Sequence, residues 1–161
     1  MATNRKIIGI SRSHRFSPGS EERDATIFNA VRNRLEQEGF PVYVVSEDEF
    51  LYNINGVADT LTDYCAVFSM ARDVRALKIL SEVEKAGMPV INSPKRLLKM
   101  TRMNQATLFH AAGIPIPHTI FLSQEYEMPL GVKYPCWLKR SDACAQTAGD
   151  VRYIEHREAL A

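Results

Sequence analysis

KIIGISRSHRFSPGS, residues 6 to 20, is the stretch whose reading decides the fold. Lys6 to Ser11 carries apolar residues on both faces of an extended chain, the pattern of a buried parallel strand rather than an alternating one. A polar loop with Arg12, His14 and Arg15 follows. Ser17-Pro18 or Ser20 then supplies a helix cap, with proline suited to the first helical position. Ile27, Phe28, Val31 and Leu35 fall on one stripe at helical spacing, so a helix is predicted to about Glu38, with Gly39 as its stop.

The pattern then repeats with variation. Val42 to Val45 reads as a second apolar strand. Ser46 to Thr62 is acidic and irregular, with a turn at Asn55-Gly56. Cys65 to Phe68 reads as a third strand, and Arg72 to Ala86 as a helix with Val74, Leu77, Leu80 and Val83 on one face, ended by Gly87. Met88 to Ile91 is a short fourth strand. This order of strands and helices predicts an α/β fold, a Rossmann-like, doubly wound parallel sheet over residues 1–93.

Asn92-Ser93-Pro94 marks a change. A helical segment is predicted from Pro94 to about Ala112, either continuous or broken near Thr101, and Gly113 closes it. The sequence IPIP then forbids helix. Strands are expected at Thr119–Leu122, Tyr134–Lys139 and Val151–Ile154, with a turn at MPLG, a loop over 141–149 and a helix starting at Glu155. Three strands with few covering helices make an unfinished second domain over 94–161, and the expectation is a truncated chain.

The 161 residues are 45% hydrophobic and 24% charged, enough to build a core. A net charge of +1 argues against a nucleic-acid or membrane-surface binder, whose affinity needs a strongly basic face. No apolar run suits a signal peptide or a spanning helix, so the expected location is cytoplasmic. Cys65, Cys136 and Cys144 form no C-x-x-C pair, and the four histidines share no ligand spacing, so no metal site is expected within the chain.

Ligands of open parallel sheets bind outside the carboxyl ends of the strands. Two loops stand there: residues 11–20, with Arg12, His14 and Arg15, and the SMARD loop, with Arg72. Neither matches a dinucleotide or P-loop fingerprint. Their arginines suit a carboxylate or phosphate, and equally suit solvated loops. Lys95, Arg96, Lys99 and Arg102 form a basic run without an acid. On a continuous helix, residues 95, 99 and 102 would share a face, open to an anion or to acidic side chains from elsewhere. Lys139 ends an apolar strand before a loop of small residues. It can meet a phosphate there or snorkel from a sheet edge. Cys144 has no assignable histidine or acid partner as a nucleophile.

In order along the chain, these pieces resemble the ATP-grasp superfamily of ligases. Residues 1–93 resemble the domain that precedes the ATP-grasp core. The stretch VINSPKRLLKMTRMNQATLFHAAGIPIPHT is similar to the family's first core helix, where a basic residue stands eleven positions before the glycine of A-G-[IV]-P; here it is Arg102. YPCWLK is similar to the family's lysine strand and places Lys139 at its second nucleotide-contacting lysine. The following loop, SDACAQTAG, departs from the family's glycine-rich form.

The resemblance implies ATP and Mg²⁺ as cofactors, with Arg102, Lys139 and Ser141 on the ATP side and metal ligands downstream of this chain. It further implies small-molecule carboxylate and amine substrates, joined through an acylphosphate and held in part by Arg12, Arg15 and Arg72. A homodimer through the first domain is a family-level suggestion. The 161-residue chain alone is expected not to turn over ATP. Two alternatives stand beside this reading: a non-catalytic ligand-binding or interaction module that keeps the fold, and a stand-alone flavodoxin-like binder.

Overall fold

The computed structural model describes residues 6–53, 61–122, 131–141 and 147–160. The chain divides into two compact units, Met1–Leu98 and Lys99–Ala161.

Unit 1 is built on strands β1 (Ile7–Ser11), β2 (Val42–Ser46), β3 (Ala66–Ser69) and β4 (Val90–Ile91), all parallel, in the order β2-β1-β3-β4. Helices α1 (Glu21–Gln37) and α3 (Val74–Lys85) connect them, together with α2 (Glu47–Tyr52). The alternation of β1 divides the core. Ile8 and Ile10 join Val67, Phe50, Leu77 and Leu80 in one cluster, and Ile7 joins Phe28 and Phe68 in another. Gly9 lies in the second layer. A Cβ there would meet Phe68 Cε1 at 2.6 Å and Phe28 Cζ at 2.9 Å, so only glycine lets the two rings close over the strand. These rings pack at 4.8 Å between centroids.

Three details differ from the sequence reading. The acidic stretch after β2 opens with helix α2, because Ser46 and Glu49 form a reciprocal capping box. The bonds from the Ser46 N–H and hydroxyl hold the Glu49 carboxyl below its ordinary range. The buried face of α1 runs through Asp24 and Phe28, with Leu35 partly covered, while Ile27 and Val31 face solvent. The apolar stripe is displaced because Asp24 is buried by its bonds to Arg12 and Ser17. The unit extends past residue 93, since α4 (Pro94–Leu97) packs against α3 with Pro94 fully buried. The predicted turn at Asn55-Gly56 lies outside the described residues.

Unit 2 contains α5 (Arg102–Ala111) and an antiparallel pair, β5 (Cys136–Lys139) with β6 (Val151–Ile154). The predicted helical segment is thus two helices, α4 and α5. Thr101 caps α5 through its side chain, which accepts the Asn104 N–H. Residues 95, 99 and 102 therefore do not share a helical face. Residues 119–122 form no strand, and the segment after Glu155 is a 3-10 turn at Arg157–Leu160 rather than an α-helix. The loop before β5 includes a cis Tyr134-Pro135 bond. Ile154 is the one fully buried hydrophobic side chain among the described residues of this unit, while Met103, Leu108, Phe109, Trp137 and Tyr153 are exposed.

Candidate functional site

Two groups of residues stand out, one in each unit. The first lies at the carboxyl ends of β1 and β3, where the loops after these strands meet the start of α2. Glu47, the first residue of α2, is completely buried and acts as their common anchor. Its Oε2 accepts the Ser13 N–H at 3.0 Å, and its Oε1 accepts the N–H groups of Arg72 and Asp73, each at 2.6 Å. The end of the second strand is where dinucleotide folds place the acid that binds a ribose hydroxyl. Here that carboxylate is consumed by the protein's own backbone.

Arg12 and Arg15 are engaged with acids. Arg12 Nη1 donates to Asp24 Oδ2 at 2.7 Å, and its Nε donates to the Met70 carbonyl at 3.3 Å. Ser17 Oγ donates to the same Asp24 oxygen. Arg12 thereby ties the β1 loop to α1 and to the end of β3, a structural use of its charge. Arg15 pairs with Asp73 and stacks its guanidinium 4.8 Å from the centre of the Phe16 ring. Asp73 also caps α3 by accepting the Arg75 N–H at 2.7 Å, and the Arg75 guanidinium reaches back to it. Burial pushes the Asp73 carboxyl up; the Arg75 hydrogen bonds and the charges of Arg15 and Arg75 outweigh this and hold it below the usual aspartate range. Arg72 contributes its backbone N–H to Glu47, and its side chain is half-buried. His14 is exposed and, with Arg12, Glu21 and Asn29, lines a cleft of about 240 Å³ between β1 and α1.

The second group lies in unit 2, where the start of α5 meets the chain leaving β5. Arg102 Nη1 donates to the Arg140 carbonyl at 2.8 Å, and the Met103 N–H donates to the Ser141 carbonyl at 3.3 Å. The second bond satisfies one of the orphan donors at the helix start. Arg140 forms a loose ion pair with Asp150, 3.9 Å apart. Lys139 is exposed, and its ammonium lies 5.9 Å from the centre of the Trp137 ring. Trp137 and Lys139 share the outward face of β5, and Trp137 packs on its cross-strand neighbour Tyr153 at 5.1 Å. Neither Arg102 nor Lys139 has a carboxylate partner among the described residues. The structure thus brings Arg102 together with the chain that carries Lys139 and Ser141. Lys95 and Arg96 belong to α4 in unit 1, and Cys144 lies outside the described residues.

Sequence reasoning missed Asp24, Glu47, Asp73 and Arg75. Two signals were available. Asp73 directly precedes the apolar-periodic residues of α3, the place of an N-cap. Ser46-x-x-Glu49 is a capping signature, and it sets Glu47 at the helix start just beyond the end of β2. Among the described residues no three His, Cys, Asp or Glu side chains gather to hold a metal ion, and no helix is long and apolar enough to cross a membrane. Compared with known proteins, the chain matches no protein-family model and shows no significant similarity to a curated protein.

Proposed function

We propose that this chain is the N-terminal portion of an ATP-dependent ligase of the ATP-grasp type, one that joins a carboxylate to an amine or related nucleophile through an acylphosphate. One observation carries the reading. Arg102 and Arg140, 38 residues apart in sequence, meet through a hydrogen bond at the end of the strand that carries Lys139. Arg102 at the start of α5 and Lys139 at the end of β5 are cations without acidic partners among the described residues, and such charges beside the start of a helix suit a polyphosphate.

In this reading ATP supplies the phosphoryl group that activates the substrate carboxylate. Lys139 acts on phosphate oxygens as a point charge. Arg102 adds charge and keeps the chain after β5 seated on α5, with Ser141 beside it. Neither needs to transfer a proton, so charge and reach matter rather than a tuned pKa. The exposed Trp137 ring, two residues before Lys139 on the same face, offers a stacking surface. Magnesium belongs to the same reading, and no step through it is assigned to these residues. Unit 1 is the substrate side, with Arg12, Arg15 and Arg72 at its sheet ends; Arg12, already bonded to Asp24, shapes the loop. A cytoplasmic location and small-molecule partners complete the reading.

A second reading, a non-catalytic module that keeps the fold, is favoured by one detail. The Arg102 guanidinium already serves a backbone carbonyl, a role that needs no nucleotide.

The two readings separate in a titration of the ¹⁵N-labelled chain with the magnesium complex of a non-hydrolysable ATP analogue. The ligase reading expects saturable shifts at the amides of Arg102, Met103, Lys139, Arg140 and Ser141, with a dissociation constant on the order of 1 mM. K139Q and R102Q should each weaken binding by about tenfold. Binding that leaves these amides unmoved would overturn it. Magnesium-dependent ADP formation by the purified 161-residue chain would overturn the assignment of this chain as an incomplete catalyst.

A further inference from the structure

We propose that Arg15 and Arg75, on the loop after β1 and in the first turn of α3, form an oxyanion-binding pair assembled on Asp73. The site is independent of the nucleotide reading and includes Arg75, a residue that no sequence pattern singles out.

The inference starts from an imbalance of charge. Asp73 Oδ2 accepts from Arg15 Nη2 and, at 3.4 Å, from Arg75 Nη2. Its Oδ1 accepts the Arg75 N–H at 2.7 Å and Arg75 Nε at 3.3 Å. One carboxylate therefore serves two guanidiniums. Because both donate to the same oxygen, their terminal nitrogens lie within two hydrogen-bond lengths of each other. Two cations held that close repel, and a second anion would relieve the repulsion.

No acid among the described residues takes that role. Asp24 is used by Arg12 and Ser17, and Glu47 by three backbone N–H groups. Neither Arg15 nor Arg75 makes an ion pair to any acid other than Asp73 among the described residues.

The donors also remain accessible. The Asp73 side chain is only 10% exposed, while those of Arg15 and Arg75 are 43% and 71% exposed. A guanidinium has five N–H donors; Arg15 spends one on Asp73, and Arg75 two. The rest are left for the fork-like contact that guanidinium groups make with carboxylates and phosphates.

The pair is held in place before any ligand arrives. Glu47 binds the backbone of Ser13 on one loop and of Arg72 and Asp73 on the other. Arg15 is steadied on the ring of Phe16, itself buried. The backbone that carries the pair is therefore ordered without a ligand, which lowers the cost of binding. The group recognised is a carboxylate or phosphate on a small molecule, and the two are distinguished by titration.

The test uses the full ¹⁵N-labelled chain, titrated with inorganic phosphate and separately with succinate, at ionic strength held constant with sodium chloride. The arginine Nε–H signals and backbone amides report binding. Saturable shifts of Arg15 and Arg75 are expected with at least one of the two, and the tighter one identifies the oxyanion. R15Q and R75Q should each weaken that binding about tenfold. R75K, which keeps the charge and loses the fork, should fall between wild type and R75Q. R34Q, which breaks an exposed pair with Glu38 on α1, should change nothing. Unchanged β1 and β3 amide signals establish that each variant is folded, and R75K reads the site if R75Q is not. The proposal is overturned if neither oxyanion gives a saturable shift, if chloride alone reproduces it, or if R34Q weakens binding as much as R75Q.

Discussion

Glu47 offers the sharpest test of how unit 1 builds its ligand-facing end. Its carboxylate is fully buried and accepts three backbone N–H groups, from Ser13, Arg72 and Asp73. Hydrogen bonds to a charged acceptor contribute about 1.5–3 kcal/mol each, and an orphaned buried donor costs about 1–3 kcal/mol. In Glu47→Gln one oxygen survives, so the Arg72 and Asp73 N–H groups keep an acceptor, now neutral. The new amide NH₂ then faces the Ser13 N–H, donor against donor. Burying a neutral amide recovers part of the desolvation cost of the carboxylate. The net expectation is a destabilisation of about 2–4 kcal/mol. Glu47→Ala removes every acceptor and should cost at least as much, unless water enters. Urea unfolding followed by far-ultraviolet circular dichroism measures the total. Amide hydrogen exchange measures the locality, because Ser13, Arg72 and Asp73 should lose protection together. Glu36→Gln, on an exposed α1 pair, is the control and should stay within about 0.5 kcal/mol. If Glu47→Gln also stays within about 0.5 kcal/mol, or if the three amides exchange as before, Glu47 does not anchor these loops.

Three further outcomes follow from the same geometry. Gly9→Ala should destabilise unit 1 by about 1–3 kcal/mol, since its Cβ would sit 2.6 Å from Phe68 Cε1, and Phe68→Leu should recover part of that loss in the double variant; additive losses in urea unfolding would refute the steric account. The folded Asp73 carboxyl titrates below its reference value of 3.8, so its stabilisation is fully present above that pH and is lost as pH falls through the lower folded midpoint. Asp73→Asn should therefore flatten the acid limb of the stability profile, and an unchanged limb would contradict the assignment. In a polypeptide that contains unit 2 within an active enzyme, Lys139→Gln should abolish ATP-dependent hydroxamate formation from the substrate carboxylate and hydroxylamine, and retention of that activity would remove Lys139 from the nucleotide site.

The sheet of unit 1 was legible because its physics is local. Apolar strands, helical stripes and glycine stops stand in register along the chain, and the four parallel strands appear where Lys6–Ser11, Val42–Val45, Cys65–Phe68 and Met88–Ile91 are expected. What escaped is the pairing of charges. Arg12, Arg15 and Arg72 could be placed at strand ends from sequence, but the acids that meet Arg12 and Arg15 come from elsewhere. Asp24 lies inside a helix, and Asp73 is 58 residues from Arg15. Such partners are set by tertiary approach and leave no periodic trace. The strand expected at Thr119–Leu122 failed for a related reason. An apolar run forms a strand only where a neighbour supplies ladder bonds, and these residues have none among the described residues.

The two units stand at different stages of self-sufficiency. In unit 1 the sheet is covered on both faces by separate hydrophobic clusters, and Asp24, Glu47 and Asp73 each accept hydrogen bonds from within the unit. In unit 2 no residue of α5 is buried, and the aromatic pair on β5 and β6 is half exposed or more. A two-stranded pair is marginal alone and needs further strands or a helix on its face. Under the proposed reading, the surface carrying Trp137, Lys139 and Tyr153 is completed by the rest of the nucleotide-binding domain and by the nucleotide itself. That assigns different work to the two units. Unit 1 can hold a small oxyanion with the residues it has, because its loops are already anchored. In the proposed reading unit 2 contributes charge and an aromatic face, and its affinity for nucleotide would depend on what closes over them. Oxyanion binding by unit 1 and nucleotide binding by unit 2 should therefore be separable in this chain, with the first surviving substitutions at Arg102 and Lys139.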